Sequence, residues 1–472
     1  MQLHKKTKIV ATIGPSSEDK EVLNDMAQTG LDVIRVNFSH GDFAEHSKKI
    51  DRWKNIAKRE GRSLGVIQDL AGPEIRTGDF KKGFELEEDD SVVLGCSKVS
   101  KNKKDISLDY PLCGEVVEGD LIFIDDGRIE LKVKSVESSK IECEVVTGGF
   151  VSSKRGVNVP GVELDLPSLT EKDKKDLEFA VKNEVDFIAL SFVRQAKDVK
   201  KLRNLLDEKD IEAGVISKIE TQQAVENMDE IIELSDGIMV ARGDLAIEIG
   251  PENVPSIQKT LIEKSNKKGK PVIVATQMLE SMVEEPVPTR AEVSDVANAI
   301  LDGADAVMLS GETASGENPV EVVRVMSEIA QNMEESVSST FARKAQESNR
   351  GVVDSVTSSV VDTANEIGAD LIVALTISGF TARMISRFKP DPPIVALSPN
   401  QKTSNQLSLS FGCLPFEVDT FNSFDDIFRS VREVCFEKEL AEEGDKVVIT
   451  AGVPVYNEGS RNDTNMMLVE EM

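Results

Sequence analysis

Residues 215–221 read VISKIET. Val215, Ile216 and Ile219 belong in a core, and a short β-branched run of this kind reads as a buried strand. Lys218 and Glu220 stand two apart, so on a strand they leave by the same face. An apolar strand that ends by aiming an ammonium and a carboxylate at one spot is either a satisfied ion pair or the rim of a site. The surrounding sequence has to decide between the two.

Seven more runs resemble this one. TKIVATIG (7–14), DVIRVNFS (32–39), LGVIQDLA (64–71), DFIALSFV (186–193), GVISKIE (214–220), DGIMVARG (236–243), PVIVATQM (271–278) and DAVMLSGE (305–312) are each followed by a stretch of helical periodicity. Eight near-continuous apolar strands alternating with amphipathic helices predict a closed parallel (β/α)8 TIM barrel. A doubly wound sheet is the alternative, but neither GxGxxG after a strand nor GxxxxGK[ST] is present.

The alternation is interrupted between the third and fourth strands. There DLIFIDDG (120–127), RIELKVKSV (128–136) and KIECEVV (140–146) alternate with period two between Gly, Asp and Ser turns. This predicts an all-β lid domain, a small β-barrel, inserted in a loop at the barrel mouth. After it the pattern restarts with helix VVDSVTSSVVDTANEIG (352–368) and strands DLIVALT (370–376), PPIVALSP (392–399), LPFEVDT (414–420) and DKVVITAG (445–452). The expected organisation is barrel 1–71, insert 72–164, barrel 165–343 and a C-terminal α/β domain 344–472, with polar SSTFARKAQESNRG (338–351) as linker.

The chain has 472 residues and a net charge of −28, which disfavours nucleic acid and anionic lipid as partners, and no basic arm offsets it. Any phosphorylated substrate must be caught by a few locally placed cations. Cys96, Cys113, Cys143, Cys413 and Cys435 form no CxxC pair, and His4, His40 and His46 have no metal-ligand spacing. A zinc site is therefore not expected, and the compartment is expected to be reducing, where disulfides are rare. The N-terminal apolar run breaks at Gly14-Pro15, and no stretch approaches the ~20 apolar residues of a membrane span, so a cytoplasmic protein is expected.

A barrel carries its chemistry at the C-terminal ends of its strands. Strand two supplies Arg35, Asn37 and Ser39; strand three Asp69, then Pro73, Glu74 and Arg76; strand five Lys218 and Glu220; strand six Arg242 and Asp244; strand seven Thr276 and Gln277; strand eight Ser310 and Glu312. Glu220 and Asp244, on adjacent strands, would repel unless a cation lay between them, and a hard divalent ion such as Mg²⁺ takes one or two carboxylates and leaves its other positions to water and substrate oxygens. Either acid alone could instead cap a helix or pair with an arginine. Asn37, Ser39 and Asp69 could hold a monovalent cation, although strand-end Asn and Ser also cap helices. Gly243 opens a new helix whose N–H groups suit a small carboxylate. Arg35 would clamp a phosphate, and Lys218 would be a point charge near the reacting oxygen.

These residues sit in a series of ordered motifs. TKIVATIGPSS, VIRVNFSHG, GPEIRTG, SKRGVNVPG, ALSFVR, ISKIET, IMVARGDLAIEI, ATQMLESM and PTRAEVSDVANAILDGADAVMLSGETASG resemble, in order, those of the pyruvate kinases. The likeness covers barrel and insert almost fully and the last third more loosely. It implies phosphoryl transfer from phosphoenolpyruvate to ADP, giving pyruvate and ATP, with Mg²⁺ or Mn²⁺ and K⁺ as cofactors.

By that resemblance Glu220 and Asp244 would hold the divalent ion, and Lys218 would stabilise the charge that develops as the phosphoryl group leaves. Arg35 would grip the phosphate, the backbone at Gly243 and Asp244 the substrate carboxylate, and Thr276 would lie by the methylene carbon. Asn37, Ser39, Asp69 and the Leu70 carbonyl would bind K⁺, while Arg76, Arg155 and Asp126 would meet the nucleotide. The family's tetramers imply a homotetramer. TISGFTARMISRFKP (376–390) is similar to the family's Thr/Ser loop for a phosphorylated allosteric effector, which would involve Thr376, Ser378, Gly379 and Thr381, with Arg383 and Arg387 near.

Three departures stand out. DLAGPEIR replaces the common DTKGPEIR, so Leu70 and Ala71 lack a hydroxyl and a lysine; Glu74 is the residue that marks K⁺-dependent members; and GDLA replaces GDLG at Ala246. The closing loop GVPVYNEGSRNDTNM (452–466) is longer and more acidic than the family pattern. A carbon–carbon lyase or mutase on a related barrel would share the metal carboxylates without needing the lid or Lys218. A non-catalytic metabolite sensor would have lost the charged mouth residues.

Overall fold

The computed structural model describes residues 5–80, 82–95, 104–337, 351–420, 423–452 and 464–472. Eight parallel strands close into a barrel: Lys8–Thr12, Val33–Asn37, Gly65–Asp69, Phe187–Leu190, Gly214–Ile219, Gly237–Ala241, Val272–Ala275 and Ala306–Leu309, with the first paired to the eighth. All eight lie within the predicted runs and are shorter than them, because the terminal residues of each run already turn into the loops that carry the site.

Side chains such as Val10, Ile67, Ile216, Met239 and Met308 fill the barrel interior, and Leu409 of the C-terminal domain enters the same cluster. The outward faces of the strands pack on the ring of helices in one continuous apolar layer. Both strand faces are thus buried, which is why the runs read as continuously apolar rather than alternating.

The floor of the barrel carries a feature repeated four times. An Asp stands immediately before each even-numbered strand, and its carboxylate accepts the N–H at the start of the preceding strand. Asp32 takes Ile9 N at 2.9 Å, Asp186 takes Val66 N at 2.9 Å, Asp236 takes Val215 N at 2.8 Å and Asp305 takes Val272 N at 3.0 Å. Each also faces a cation: Lys5 at 2.5 Å, Lys402 at 3.6 Å, Arg203 at 2.8 Å and Lys389 at 2.7 Å, respectively. Lys389 and Lys402 come from the C-terminal domain, so two of the four carboxylates also dock that domain. Lys8 returns the contact by donating to the Cys413 carbonyl at 2.7 Å.

Between strands three and four, seven strands form one sheet whose outer members, Ile75–Arg76 and Ile106–Ser107, meet through a Thr77–Leu108 bridge. The predicted strands appear as Leu121–Ile124, Ile129–Val136 and Lys140–Thr147, around a core of their own. The turn at Asp125, Asp126 and Gly127 has positive φ throughout (59°, 56° and 80°). A Cβ on Gly127 would lie 3.4 Å from Ile247 of the helix Arg242–Ile249, so the insert reaches down to the barrel mouth.

The C-terminal domain places its four predicted strands, at Leu371–Leu375, Ile394–Ser398, Cys413–Glu417 and Lys446–Ala451, in one parallel sheet. A fifth, antiparallel strand, Met466–Glu471, borders Lys446–Ala451 and was not anticipated. Residues 338–350 of the expected linker 338–351 and most of the closing loop, 453–463, lie outside the described residues.

Cys143, Cys413 and Cys435 are free and buried. Cys113 is disulfide-bonded, contrary to the reading of the scattered cysteines, because chain folding and not sequence spacing brings thiols together; Cys96 is outside the described residues. Among the described residues, no helix is long and apolar enough to cross a membrane.

Candidate active site

Strands two and three run in register, with Arg35 opposite Ile67 and Asn37 opposite Asp69. Arg35 is buried; its Nε donates to Asp69 Oδ2 at 2.6 Å and its Nη1 to Thr12 Oγ1 at 2.8 Å. At the rim, Asn37 Oδ1 accepts the Ser39 N–H at 3.0 Å. The oxygens of Asn37, Ser39, Asp69 and Leu70 therefore come from the ends of two neighbouring strands.

Strand five shows that Lys218 and Glu220 do share a face: Lys218 Nζ lies 2.9 Å from Glu220 Oε1 and 3.5 Å from Asp69 Oδ1. It also donates to Ser191 Oγ at 2.8 Å. The other Glu220 oxygen accepts the Phe192 N–H at 2.6 Å, where Phe192 holds a φ of 52°. The plain ion pair and the site are thus the same object, because the pair stands at the mouth and draws on three strands.

Strand six ends at Ala241, and a helix begins at Arg242, which puts Asp244 in its first turn. Gly243 N donates to Thr276 Oγ1 at 2.8 Å. Thr276 and Gln277 have φ of 71° and 51°; for a β-branched residue such a value is an outlier that the surroundings must enforce. Arg242 turns away, to Asp295 at 2.7 Å and the Thr276 carbonyl at 2.7 Å. Glu312 braces backbone, accepting Ser310 N at 2.6 Å and Leu279 N at 3.2 Å. Arg242 and Glu312 are thus engaged by Asp295 and by backbone groups.

The electrostatics follow from burial and proximity. Burial would lower the Lys218 pKa, but the Asp69 and Glu220 carboxylates outweigh it and raise it, so the ammonium stays charged. Burial would raise Asp69, yet Lys218 and Arg35 hold it below the ordinary carboxylate range. Asp244 is pushed up to about 7 by burial first, then by Glu220, with Asp126 and Glu74 of the insert adding to the push and Lys218 opposing it. A carboxyl held partly protonated beside a second carboxylate marks a place short of positive charge. Among the described residues, no group of three or more His, Cys, Asp or Glu side chains could hold a metal ion. A two-carboxylate donor set instead fits a hard divalent ion that keeps water and substrate among its ligands.

On the insert, Arg155 pairs with Asp125 at 3.2 Å and with Ser152 Oγ at 2.6 Å, and Arg76 pairs with Glu74 at 2.5 Å. A cavity of about 280 Å³ opens between insert and barrel, lined by Glu74, Asn158, Phe192, Arg194 and Gln222 among others. It flanks the charged cluster, since neither Lys218 nor Asp244 lines it.

In the C-terminal domain, Gly379 has a φ of 77° at the start of a short helix, Thr381 Oγ1 meets Thr464 Oγ1 at 2.8 Å, and Thr376 is buried. Arg383 donates to the Ser378 carbonyl at 3.2 Å. Arg387 binds Asp354 at 2.5 Å and the Lys267 carbonyl of the barrel at 2.9 Å, so it serves the domain junction.

Sequence reading missed Ser191, Phe192 and Thr12, which stand at the ends of strands four and one. The same positional rule applied to those two strands would have found them.

A sequence model described as pyruvate kinase, barrel domain, matches residues 4–323, and one described as pyruvate kinase, alpha/beta domain, matches residues 354–470. The pyruvate kinase of Geobacillus stearothermophilus is 44% identical over 477 residues, covering 100% of this chain and 81% of the relative. That of Clostridium perfringens is 44% identical over 477 residues, covering 99% and 100%, respectively. That of Staphylococcus saprophyticus is 44% identical over 470 residues, covering 98% and 80%. With barrel, insert, C-terminal domain and charged mouth accounted for, this chain belongs to the pyruvate kinase family.

Proposed function

We infer that this chain moves the phosphoryl group of phosphoenolpyruvate to ADP, giving pyruvate and ATP, the last step of glycolysis. The observation that carries the reading is the Lys218 ammonium fixed 2.9 Å from Glu220 and 3.5 Å from Asp69, with Asp244 near enough to feel the charges of both Glu220 and Lys218. A metabolite sensor would have no need to bury an ammonium among carboxylates at that place.

Glu220 and Asp244 would hold Mg²⁺ or Mn²⁺, which when bound supplies Lewis-acid neutralisation of enolate and phosphoryl oxygens. Asn37, Ser39, Asp69 and the Leu70 carbonyl would hold K⁺, and Glu74 supports K⁺ dependence. Lys218 stays protonated, so it acts as a fixed positive charge on the bridging oxygen and the departing phosphoryl group, which suits a loose transition state that needs charge compensation. Arg35, braced by Asp69 and Thr12, grips the phosphate as a planar fork. The N–H groups at Gly243 and Asp244 would take the substrate carboxylate, which displaces Thr276 Oγ1 as the acceptor of the Gly243 N–H. Thr276, aligned by its strained backbone, stands by the methylene carbon that gains a proton when enol becomes ketone.

Arg76, Arg155 and Asp126 on the insert would meet ADP, closing the mouth against water. The division at 1–71, 72–164, 165–343 and 344–472 follows this assignment of mouth, lid and C-terminal domain. A cytoplasmic homotetramer, with a phosphorylated effector at Thr376, Ser378, Gly379 and Thr381, completes the reading.

The test is pyruvate formation from phosphoenolpyruvate and ADP with Mg²⁺, with K⁺ present or replaced by Na⁺ or a quaternary ammonium. Turnover is expected with K⁺ and a strong fall without it. Undiminished rates without K⁺ would remove the monovalent site, and no pyruvate under any condition would remove the function.

A further inference from the structure

The roles assigned so far leave out Ser191, the first residue after the strand Phe187–Leu190. It is 2% exposed. Its Oγ accepts from Lys218 Nζ at 2.8 Å and donates to the Leu70 carbonyl at 2.7 Å, with Asp69 Oδ1 a longer alternative at 3.4 Å. A lysine ammonium has three donors on a flexible stem. Here Ser191, Glu220 and Asp69 are its acceptors at 2.8, 2.9 and 3.5 Å. Two of these are carboxylates; the hydroxyl is the one neutral acceptor among the three, and with its proton spent on Leu70 it turns a lone pair to the ammonium.

The chain is shaped to keep the hydroxyl there. A Cβ on Gly72, whose φ is 73°, would lie 2.8 Å from Ser191 Cβ, so the loop after strand three folds directly over the serine. The next residue, Phe192, adopts a φ of 52° and gives its N–H to Glu220 Oε2 at 2.6 Å. Residues 191 and 192 thereby hold Lys218 and Glu220 separately.

We propose that the Ser191 hydroxyl is a positioning group for the Lys218 ammonium, fixing its direction toward the reacting oxygen and tying it to the Leu70 carbonyl. This rests on the reading of Lys218 as the charge that assists transfer. It adds a physical link between the monovalent-cation oxygens and that charge, since Leu70 serves both.

The test compares wild type with Ser191→Ala, Ser191→Cys, Lys218→Arg and Ser191→Ala/Lys218→Arg, measuring kcat, KM for phosphoenolpyruvate, Mn²⁺ affinity and the thermal midpoint. Ser191→Ala is expected to lower kcat by about 10- to 100-fold, the range for losing a hydrogen bond to a charged group. KM, Mn²⁺ affinity and the midpoint stay near wild type. Ser191→Cys, a similar shape with a weaker acceptor, falls between. In the Lys218→Arg background Ser191→Ala has little further effect, because the group it aims is already displaced.

A Ser191→Ala or Ser191→Cys enzyme as fast as wild type, a loss confined to KM, or full additivity with Lys218→Arg overturns the positioning role. An active Lys218→Met enzyme would instead overturn the functional reading itself, so the two failures are distinguishable.

Discussion

Both ends of this barrel bury charged side chains, yet the two ends do opposite things with them. On the floor, each carboxylate finds a backbone N–H and a cation, as when Asp305 takes Val272 N, Phe411 N and the Lys389 ammonium. At the mouth, Asp69 and Glu220 share Lys218, while Asp244 feels the repulsion of Glu220, Asp126 and Glu74. A balanced set of buried charges fixes how parts dock. An unbalanced set stores a demand for positive charge that a metal ion or a substrate can meet.

The sharpest way to break this contrast is to remove the Lys218 ammonium from the mouth. Lys218→Met should lower kcat by roughly 10³-fold in a coupled pyruvate assay, the scale for losing a preorganised electrostatic group. Mn²⁺ binding should be retained, and wild-type turnover would refute the role. On the floor, Lys389→Met leaves Asp305 buried without its cation, and both partners are under 5% exposed. Denaturant unfolding should show a loss of about 3–5 kcal/mol, with the Mg²⁺ activation constant unchanged; a shift in that constant would mean that floor and mouth are not separate.

Asp186 gives a test in pH. Burial pushes its carboxyl up to about 6, against the attraction of Lys402. The folded chain therefore keeps this proton up to about pH 6, whereas an unfolded chain releases it near pH 4. This group's contribution to stability is greatest below about pH 4 and is lost as pH rises through about 6, on the order of 3 kcal/mol at about 1.4 kcal/mol per unit. In Asp186→Asn that decline between pH 4 and 6 should disappear from the stability profile. An unchanged slope would assign it elsewhere. The smallest expected effect returns to the mouth: Asp244→Asn should raise the Mg²⁺ activation constant by at least about 10-fold, the low end even for a group that only supports a metal ligand, and an unaltered constant would take Asp244 out of the metal site.

Much of this was legible in the chain. Both faces of a barrel strand are buried, so each strand appeared as an apolar run, and the polar residues at the C-terminal end of each run were site candidates by position alone. Lys218, Glu220, Arg35 and Asp69 were found that way and do meet. Ser191 was not, since a lone serine after a strand has many ordinary explanations. Arg242 and Glu312 occupied equally promising positions, yet they turn onto Asp295 and onto backbone N–H groups, a choice made by rotamers and neighbours that spacing does not encode. The strand Met466–Glu471 escaped because three of its central residues are exposed and give no buried periodicity.

What the amino-acid order determined by itself was local and periodic: the eight strands, the insertion point, and which side chains end up at the mouth. Only the closed barrel decided that residues 35, 69, 191, 218 and 220 share one set of hydrogen bonds, and that two of the four floor aspartates take lysines from the C-terminal domain. The reason is range. A strand's period is written in adjacent residues, whereas the charge on Lys218 or Asp244 depends on burial and on groups brought within a few ångströms from distant parts of the chain.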